Sequence, residues 1–323
     1  MLVPAHVGLS QFENFPNRLT SVWISELVDI SIVRDKKQII IAFEGTNHHS
    51  QLLRQAFSVL FQDTVDVHGS EFGKVNRYYL NAVKQLWLDI EGAFILYPDY
   101  APIFVGHSMG GCLASIAALL YAIECKVNSE ENELNKKDIS NKEHKPYFNE
   151  DQLEKIKQLT FGEPRHGDKL YAKKHNELIP HSIRYVNEED VIAQMPFCTK
   201  FQTLFAPVLK NTALACEAIG YLHQGQEVWF KFGMKRPPII CHPPTNLVLE
   251  DNSCSASQEF HLRDSSKREK YINDHQTYFN SWVFYYGEAG CDSEKIKLHV
   301  DLVEPHYKKM KPSETSGENI NTI

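Results

Sequence analysis

The sequence predicts an α/β fold, a mostly parallel central sheet flanked by helices. Three observations predict it. Apolar runs of strand length alternate with stretches of helical periodicity along most of the chain. The run Gln38–Phe43 is apolar throughout its middle, as expected of a strand buried in a sheet. Ile103-Phe-Val leads through Gly106-His-Ser-Met-Gly-Gly111 into a small-residue stretch, which reads as strand, tight turn and helix in series.

Taken in order, Ser21-Val-Trp-Ile-Ser and Asp29-Ile-Ser-Ile-Val-Arg read as the first strands, and Asp35-Lys-Lys as a turn before Gln38-Ile-Ile-Ile-Ala-Phe. Gln51 to Phe61 has helical spacing, and Lys74 to Ile90 reads as a long amphipathic helix. The strand ending at His107 and the helix from Leu113 to Ala122 follow, the latter rich in small residues that let it pack closely on a sheet. Residues 126–152 are polar, charged and nearly free of bulky apolar groups, so they read as a solvated, disordered insertion. Ile156-Lys-Gln-Leu-Thr-Phe-Gly is the next strand, Asp168 to Glu177 a helix, and Ser182-Ile-Arg-Tyr-Val another strand. Gly225-Gln-Glu-Val-Trp-Phe-Lys-Phe alternates as a strand does. One domain is expected over residues 1–308, followed by a polar, flexible tail at 309–323.

The chain has 323 residues, 42% of them hydrophobic, enough for a sizeable core. Its formal net charge of -7, with cations scattered among acids, argues against a nucleic-acid partner. No apolar run is read as long enough to span a membrane, and the amino terminus lacks the basic region and apolar core of a signal peptide. The seven cysteines are an odd number and form no Cys-x-x-Cys pair. Together these favour a cytoplasmic location over secretion.

Gly106-x-Ser108-x-Gly110 between a strand and a helix is the pattern of a nucleophile elbow. A serine hydroxyl is a weak nucleophile until a base takes its proton and an acid orients that base. On α/β-hydrolase folds acid and base follow the serine in that order. Arg184-Tyr-Val-Asn-Glu-Glu-Asp-Val-Ile is a strand running into an acidic turn, so Asp190 is the leading acid, ahead of Glu188 and Glu189. Six histidines follow it: His223, His242, His261, His275, His299 and His306. Order does not choose among them. His275, in a polar lead into an aromatic cluster, is the first candidate, with His261 and His242 behind it.

These residues resemble the class 3 lipase family, the fungal triacylglycerol lipases and their relatives, over roughly Trp23 to Tyr286. Ile39-Ile-Ile-Ala-Phe-Glu-Gly-Thr resembles the family's strand ending in Phe-Arg-Gly-Thr/Ser. Val67-His-Gly-Ser-Glu-Phe resembles its Val-His-x-Gly-Phe segment, and Val105-Gly-His-Ser-Met-Gly-Gly its elbow. Thr160-Phe-Gly-Glu-Pro-Arg-His-Gly-Asp, Arg184-Tyr-Val-Asn-Glu-Glu-Asp, Tyr221-Leu-His-Gln-Gly-Gln-Glu-Val-Trp-Phe and Asp274-His-Gln-Thr-Tyr-Phe follow in the family's order. Glu44 stands where the family carries arginine, and Asp168 where asparagine is commoner; the loop at 67–72 and the 126–152 insertion also differ.

The resemblance implies an α/β-hydrolase fold and a serine carboxylic-ester hydrolase acting on acyl glycerides or related acyl lipids. It implies Ser108 as nucleophile, Asp190 as orienting acid, His275 as base, and Thr46 and Met109 as oxyanion donors. It also implies that the segment 47–65 is a lid in transient contact with a lipid interface, its apolar face made by Leu52, Leu53, Ala56, Phe57, Leu60 and Phe61. The competing reading of that face is fixed core. No cofactor is called for. Adjacent His48 and His49 point to different sides and share no carboxylate pattern, so no metal site is expected. His68, His107, His166 and His223 read as structural, holding loops by hydrogen bonds, and the four tryptophans as core anchors. A second reading of the whole chain is a hydrolase-fold protein that binds lipid or a protein partner with weak or no turnover.

Overall fold

The computed structural model describes residues 19–25, 28–45, 63–135, 148–197, 220–245, 249–251, 253–261, 263–279 and 281–283. Its main sheet is built from β1 (Leu19–Ser25), β2 (Val28–Val33), β3 (Gln38–Phe43), β6 (Ala101–His107), β7 (Lys157–Phe161), β8 (His181–Asn187), β9 (Gln226–Phe230) and β10 (Ile239–Ile240), side by side in that order. The five strands from β3 to β9 run parallel, while β1, β2 and β10 are antiparallel additions at the edges. Parallel neighbours point their carboxyl ends the same way, so the loops after β3, β6, β7, β8 and β9 gather at one end. A small hairpin of β4 (Thr64–Asp66) and β5 (Lys74–Asn76) stands apart, as does the pair β11 (Thr277–Tyr278) and β12 (Ser281–Trp282).

Helix α1 (Arg77–Leu96) and helix α2 (Met109–Asn135) lie against this sheet, α2 directly on β3, β6 and β7. Ala114, Ala117 and Ala118 on α2 are fully buried and let the helix sit close to the strands. Between them lies an aromatic cluster: Phe94 packs on Tyr121 with ring centres 4.3 Å apart, and Phe104 and Phe148 close around the pair. Each such ring contributes about 1.5–3 kcal/mol by leaving water. Helix α3 (Lys169–Leu178) flanks α2, and α4 (Ser265–Gln276) carries the chain back over the end of the sheet.

The strands at 38–43, 157–161, 181–187 and 226–230 lie where the sequence places them. Three expectations change. Lys74–Asn76 is a strand rather than the start of the long helix; Asn76 caps that helix, its side chain accepting the Tyr78 N–H at 2.9 Å. The insertion does not begin at 126: α2 continues to Asn135, since a helix nucleated on the core extends through Glu, Asn and Lys at little cost. Phe148 and Gln152, at its other end, are buried, the latter donating to the Pro98 carbonyl at 3.0 Å. Met109–Ser129 is in fact long and apolar enough to cross a membrane by length and composition, but it is mostly buried as the core helix of the sheet. On cysteine pairing the sequence makes no prediction: Cys241 and Cys254 are disulfide-bonded, whereas Cys112 and Cys125 are free and buried.

Candidate active site

At the end of β6 the chain turns through Ser108, whose φ of +57° lies in the left-handed region that side chains other than glycine rarely adopt. Two hydrogen bonds hold it there: the Ser108 N–H donates to the Phe161 carbonyl at 2.8 Å, and the Gly111 N–H to the Ser108 carbonyl at 3.0 Å. Both flanking glycines are obligatory. A Cβ on Gly106 would collide with the Gly110 backbone, and one on Gly110 with the Phe43 carbonyl. The tight approach of β3, the elbow and α2 is therefore written into Gly-x-Ser-x-Gly.

His275 stands in the last turn of α4, not in a polar lead, and reaches Asp190 in the turn after β8. Its Nδ1–H donates to both carboxylate oxygens at 2.9 Å. Both residues are fully buried. The Asp190 carboxylate also accepts the N–H groups of Ile192 (3.0 Å) and Ala193 (3.1 Å) on Oδ1, and the Tyr278 hydroxyl (2.7 Å) on Oδ2. Burial on its own raises that carboxyl, but the imidazole and these donors outweigh it and hold Asp190 below its ordinary value. Burial and the charge of Asp190 push Tyr278 well above 10, so it remains a donor. With Nδ1 engaged, Nε2 of His275 is left buried with no hydrogen-bond partner among the described residues.

Two further side chains fix the imidazole. Asn187, the last residue of β8, donates through Nδ2 to the carbonyls of Asp274 (3.1 Å) and Thr277 (2.9 Å), bracketing His275. His107, next to the serine, donates its Nε2–H to the His275 carbonyl at 2.8 Å, with the two rings 4.6 Å apart. Burial and the neighbouring His275 bring His107 down to about 3, so it stays neutral. The elbow meets the His–Asp pair at Gly162, which follows the residue accepting the serine amide. A Cβ there would fall 2.6 Å from Asp190 Oδ2 and 2.8 Å from His275 Nδ1.

Of the expected oxyanion donors, Met109 is the first residue of α2, directly beside the serine. Thr46 lies outside the described residues, but Gly45 before it runs against the elbow: a Cβ on Gly45 would sit 3.5 Å from that of Ser108. Residues 47–62 of the expected lid, His48 and His49 among them, are also outside the described residues. His242 and His261 are not part of the pair: the His242 N–H donates to Asp251, and the His261 N–H to the Tyr271 hydroxyl. Glu188 and Glu189 instead pair with Lys270.

Behind the elbow helix a polar cluster is sealed from water. Glu163 accepts from Ser115 and Thr160, each at 2.5 Å, and from Gln224 at 2.7 Å. Burial nevertheless lifts its carboxyl to about 7. His166 approaches Glu163 at 3.5 Å, donates Nδ1–H to the Pro164 carbonyl and accepts the Tyr171 hydroxyl on Nε2. Cys112, Glu163 and His166 bring ligand-type atoms within 4.8 Å of one another, yet these Glu163 and His166 atoms are already spent on protein hydrogen bonds. Nearby, Arg165 ties Glu250 (3.0 Å) to the Gln194 carbonyl in the loop that follows Asp190, and His223 Nδ1 meets Glu250 at 2.5 Å. His166 and His223 thus hold loops, as the motif reading expects, whereas His107 holds the backbone of His275 in α4.

Sequence reasoning missed Tyr278, Asn187 and the Glu163 cluster. A tyrosine three residues beyond the histidine was a visible signal; the polar residues on β7 and β8 gave none, because alternation reads as a wet face.

A mostly parallel sheet with a strained serine after β6, and a buried pair of Asp190 in the turn after β8 and His275 at the end of α4, defines an α/β-hydrolase fold. Residues 40–200 match the family described as Lipase (class 3). It is 29% identical over 267 residues to a curated relative, Lipase ZK262.3 of Caenorhabditis elegans; the match covers 79% of this chain and 65% of the worm protein's length. Among solved structures, Rhizomucor miehei triacylglyceride lipase aligns with a TM-score of 0.53 at 22% identity, over 81% of each chain. Lipase II from Rhizopus niveus aligns with a TM-score of 0.52 at 21% identity, over 81% of this chain and 80% of its own.

Proposed function

We propose that this protein is a serine carboxylic-ester hydrolase that cleaves acyl glycerides or related acyl lipids through an acyl-enzyme on Ser108. The observation that carries the reading is the buried Asp190–His275 pair, its Nε2 unengaged among the described residues, joined through His107 and Gly162 to the elbow that holds Ser108 at φ +57°. In the first half-reaction His275 Nε2 takes the Ser108 proton as the oxygen attacks the ester carbonyl. The tetrahedral oxyanion is held by the N–H groups of Met109 and Thr46, each worth about 3–4 kcal/mol of barrier. The C–O bond to the alcohol breaks, and His275 protonates the leaving oxygen. Water, deprotonated by the same nitrogen, then releases the acid and frees Ser108. Asp190 stays ionised throughout and keeps the proton on Nδ1. Glyceride esters are favoured because the similar fungal protein is named a triacylglyceride lipase.

The segment 47–65 is proposed as the lid, opening at a lipid surface. A rate that rises across the solubility limit of the substrate supports it; a rate unchanged there removes it. The function itself is tested by fluorophosphonate labelling and by hydrolysis of esters of rising acyl length. Labelling and turnover that vanish in Ser108→Ala are expected. Folded wild-type protein that neither labels nor turns over any ester would replace the enzyme reading with the binding one.

A further inference from the structure

Strand β9 ends at Phe230, paired with Asn187 of β8, so the turn beyond it leaves the sheet from the same end as the elbow. That turn runs Lys231-Phe-Gly-Met-Lys-Arg-Pro-Pro before β10 returns antiparallel at the sheet edge. Its side chains are oddly distributed for a solvent loop. Phe232 is 63% exposed and Ile240 71%, with Ile239 also exposed. Among the described residues they are covered by nothing, on an edge strand where apolar exposure is normally avoided. Residues 231–240 carry three cations and no acid, in a chain whose net charge is -7. Lys231 lies over the rings of Trp229 (5.2 Å) and Phe232 (5.7 Å). Lys235 and Arg236 are exposed and have no carboxylate partner among the described residues. Glu188, which approaches the turn at Gly233, is paired with Lys270.

The hairpin is continuous with the mouth of the site. The Phe279 N–H lies 2.7 Å from Met234 Sδ, and the Phe279 ring, 63% exposed, packs edge-on against Phe161, whose carbonyl holds the serine amide. Exposed rings and aliphatics flanked by cations without a carboxylate partner among the described residues match a surface that is apolar beneath and anionic on top. We infer that the tip of the β9–β10 hairpin, with Phe279, docks on an anionic lipid surface and presents the site to it. This rests on the acyl-lipid reading above and adds a contact separate from segment 47–65.

The experiment is co-sedimentation of full-length Ser108→Ala protein with vesicles of phosphatidylcholine, with and without phosphatidylserine. Hydrolysis of a soluble short-chain ester by the serine-bearing counterparts runs in parallel. Binding is expected to require phosphatidylserine and to fall with added salt. It should weaken about tenfold or more in Lys235→Glu/Arg236→Glu. A similar loss is expected in Phe232→Ser/Ile240→Ser, with short-chain hydrolysis unchanged in both. Binding that persists in both variants, or is equal on neutral vesicles, overturns the proposal in favour of another contact such as segment 47–65. Apolar-patch variants that only dissociate a dimer, with no vesicle binding by the parent, overturn it in favour of self-association. Ester hydrolysis absent while vesicle binding follows the hairpin would sink the enzyme reading and leave the docking intact.

Discussion

The fully buried side chains of strands β2, β3 and β6 are apolar: Val28, Ile30, Ile32, Ile39, Ile41, Phe43 and Phe104 among them. Strands β7, β8 and β9 bury Gln158, Thr160, Arg184, Asn187 and Glu227. Each of these has a specific partner, as Gln158 has in Ser115 at 2.6 Å and Arg184 in Glu227 at 2.6 Å. The dry half aims the serine by close packing of glycine and alanine. The wet half places acid and base by hydrogen bonds, which have direction and so fix a side chain where packing alone would leave it free. Damage to the two halves should therefore read out differently.

The largest expected effect is on the wet side. Asp190→Asn should leave the fold intact and cut kcat about ten-thousandfold, since an amide lets the imidazole hold its proton on the wrong nitrogen. A loss under tenfold would mean that Asn187 and His107 orient His275 without the carboxylate. On the dry side, Phe104→Ala should cost about 3–5 kcal/mol of stability in urea unfolding. The kcat of the folded fraction should stay within about twofold, because no hydrogen bond to the site is cut. A collapse of kcat in that variant would break the division.

Glu163 sharpens it from the side of pH. Its folded value, about 7, lies above the ordinary 4.5, so the neutral form is favoured by folding. Its contribution to stability is full below pH 4.5 and is lost as pH rises through 7. Wild type and Glu163→Gln should have similar stability near pH 5. The variant should gain on wild type as pH rises, by up to about 3 kcal/mol above pH 8. Thermal melts of both proteins across that range check it; a constant difference would mean that Ser115, Thr160 and Gln224 fully support the ionised form.

The dry half was also the legible half. Gln38–Phe43 and the strand before Ser108 announce themselves because a strand inside a parallel sheet needs unbroken apolar character, and the elbow because its glycines are sterically forced. Asp190 followed from its place after a strand. His275 did not follow from order: it reaches Asp190 because the polar helix α4 ends there, and that helix has no apolar periodicity to read. The resemblance, not spacing, singled it out from six. The polar run that begins at Lys126 misled in the opposite sense, since the charged residues after Cys125 continue a helix whose stability comes from its buried first half. The buried polar residues of β7 to β9 were invisible for one reason: a Gln or Arg alternating with apolar residues has the pattern of a strand with one wet face.

The smallest expected effect is at Tyr278, whose hydroxyl is the one side-chain donor to Asp190 besides His275 among the described residues. Tyr278→Phe keeps the ring against Phe161 and His107. It removes the 2.7 Å hydrogen bond to a charged, buried oxygen, together with longer ones from the Asn187 N–H (3.3 Å) and to the Tyr185 carbonyl (3.4 Å). A bond of that kind is worth about 1.5–3 kcal/mol. Ile192, Ala193 and the imidazole still hold the carboxylate, so the remaining donors should absorb part of the loss. The expected result is a fall in kcat of about tenfold with KM unchanged, because the ring touches the acid and not the substrate. A variant with altered KM and unchanged kcat would place Tyr278 in the acyl groove and take it out of the charge network.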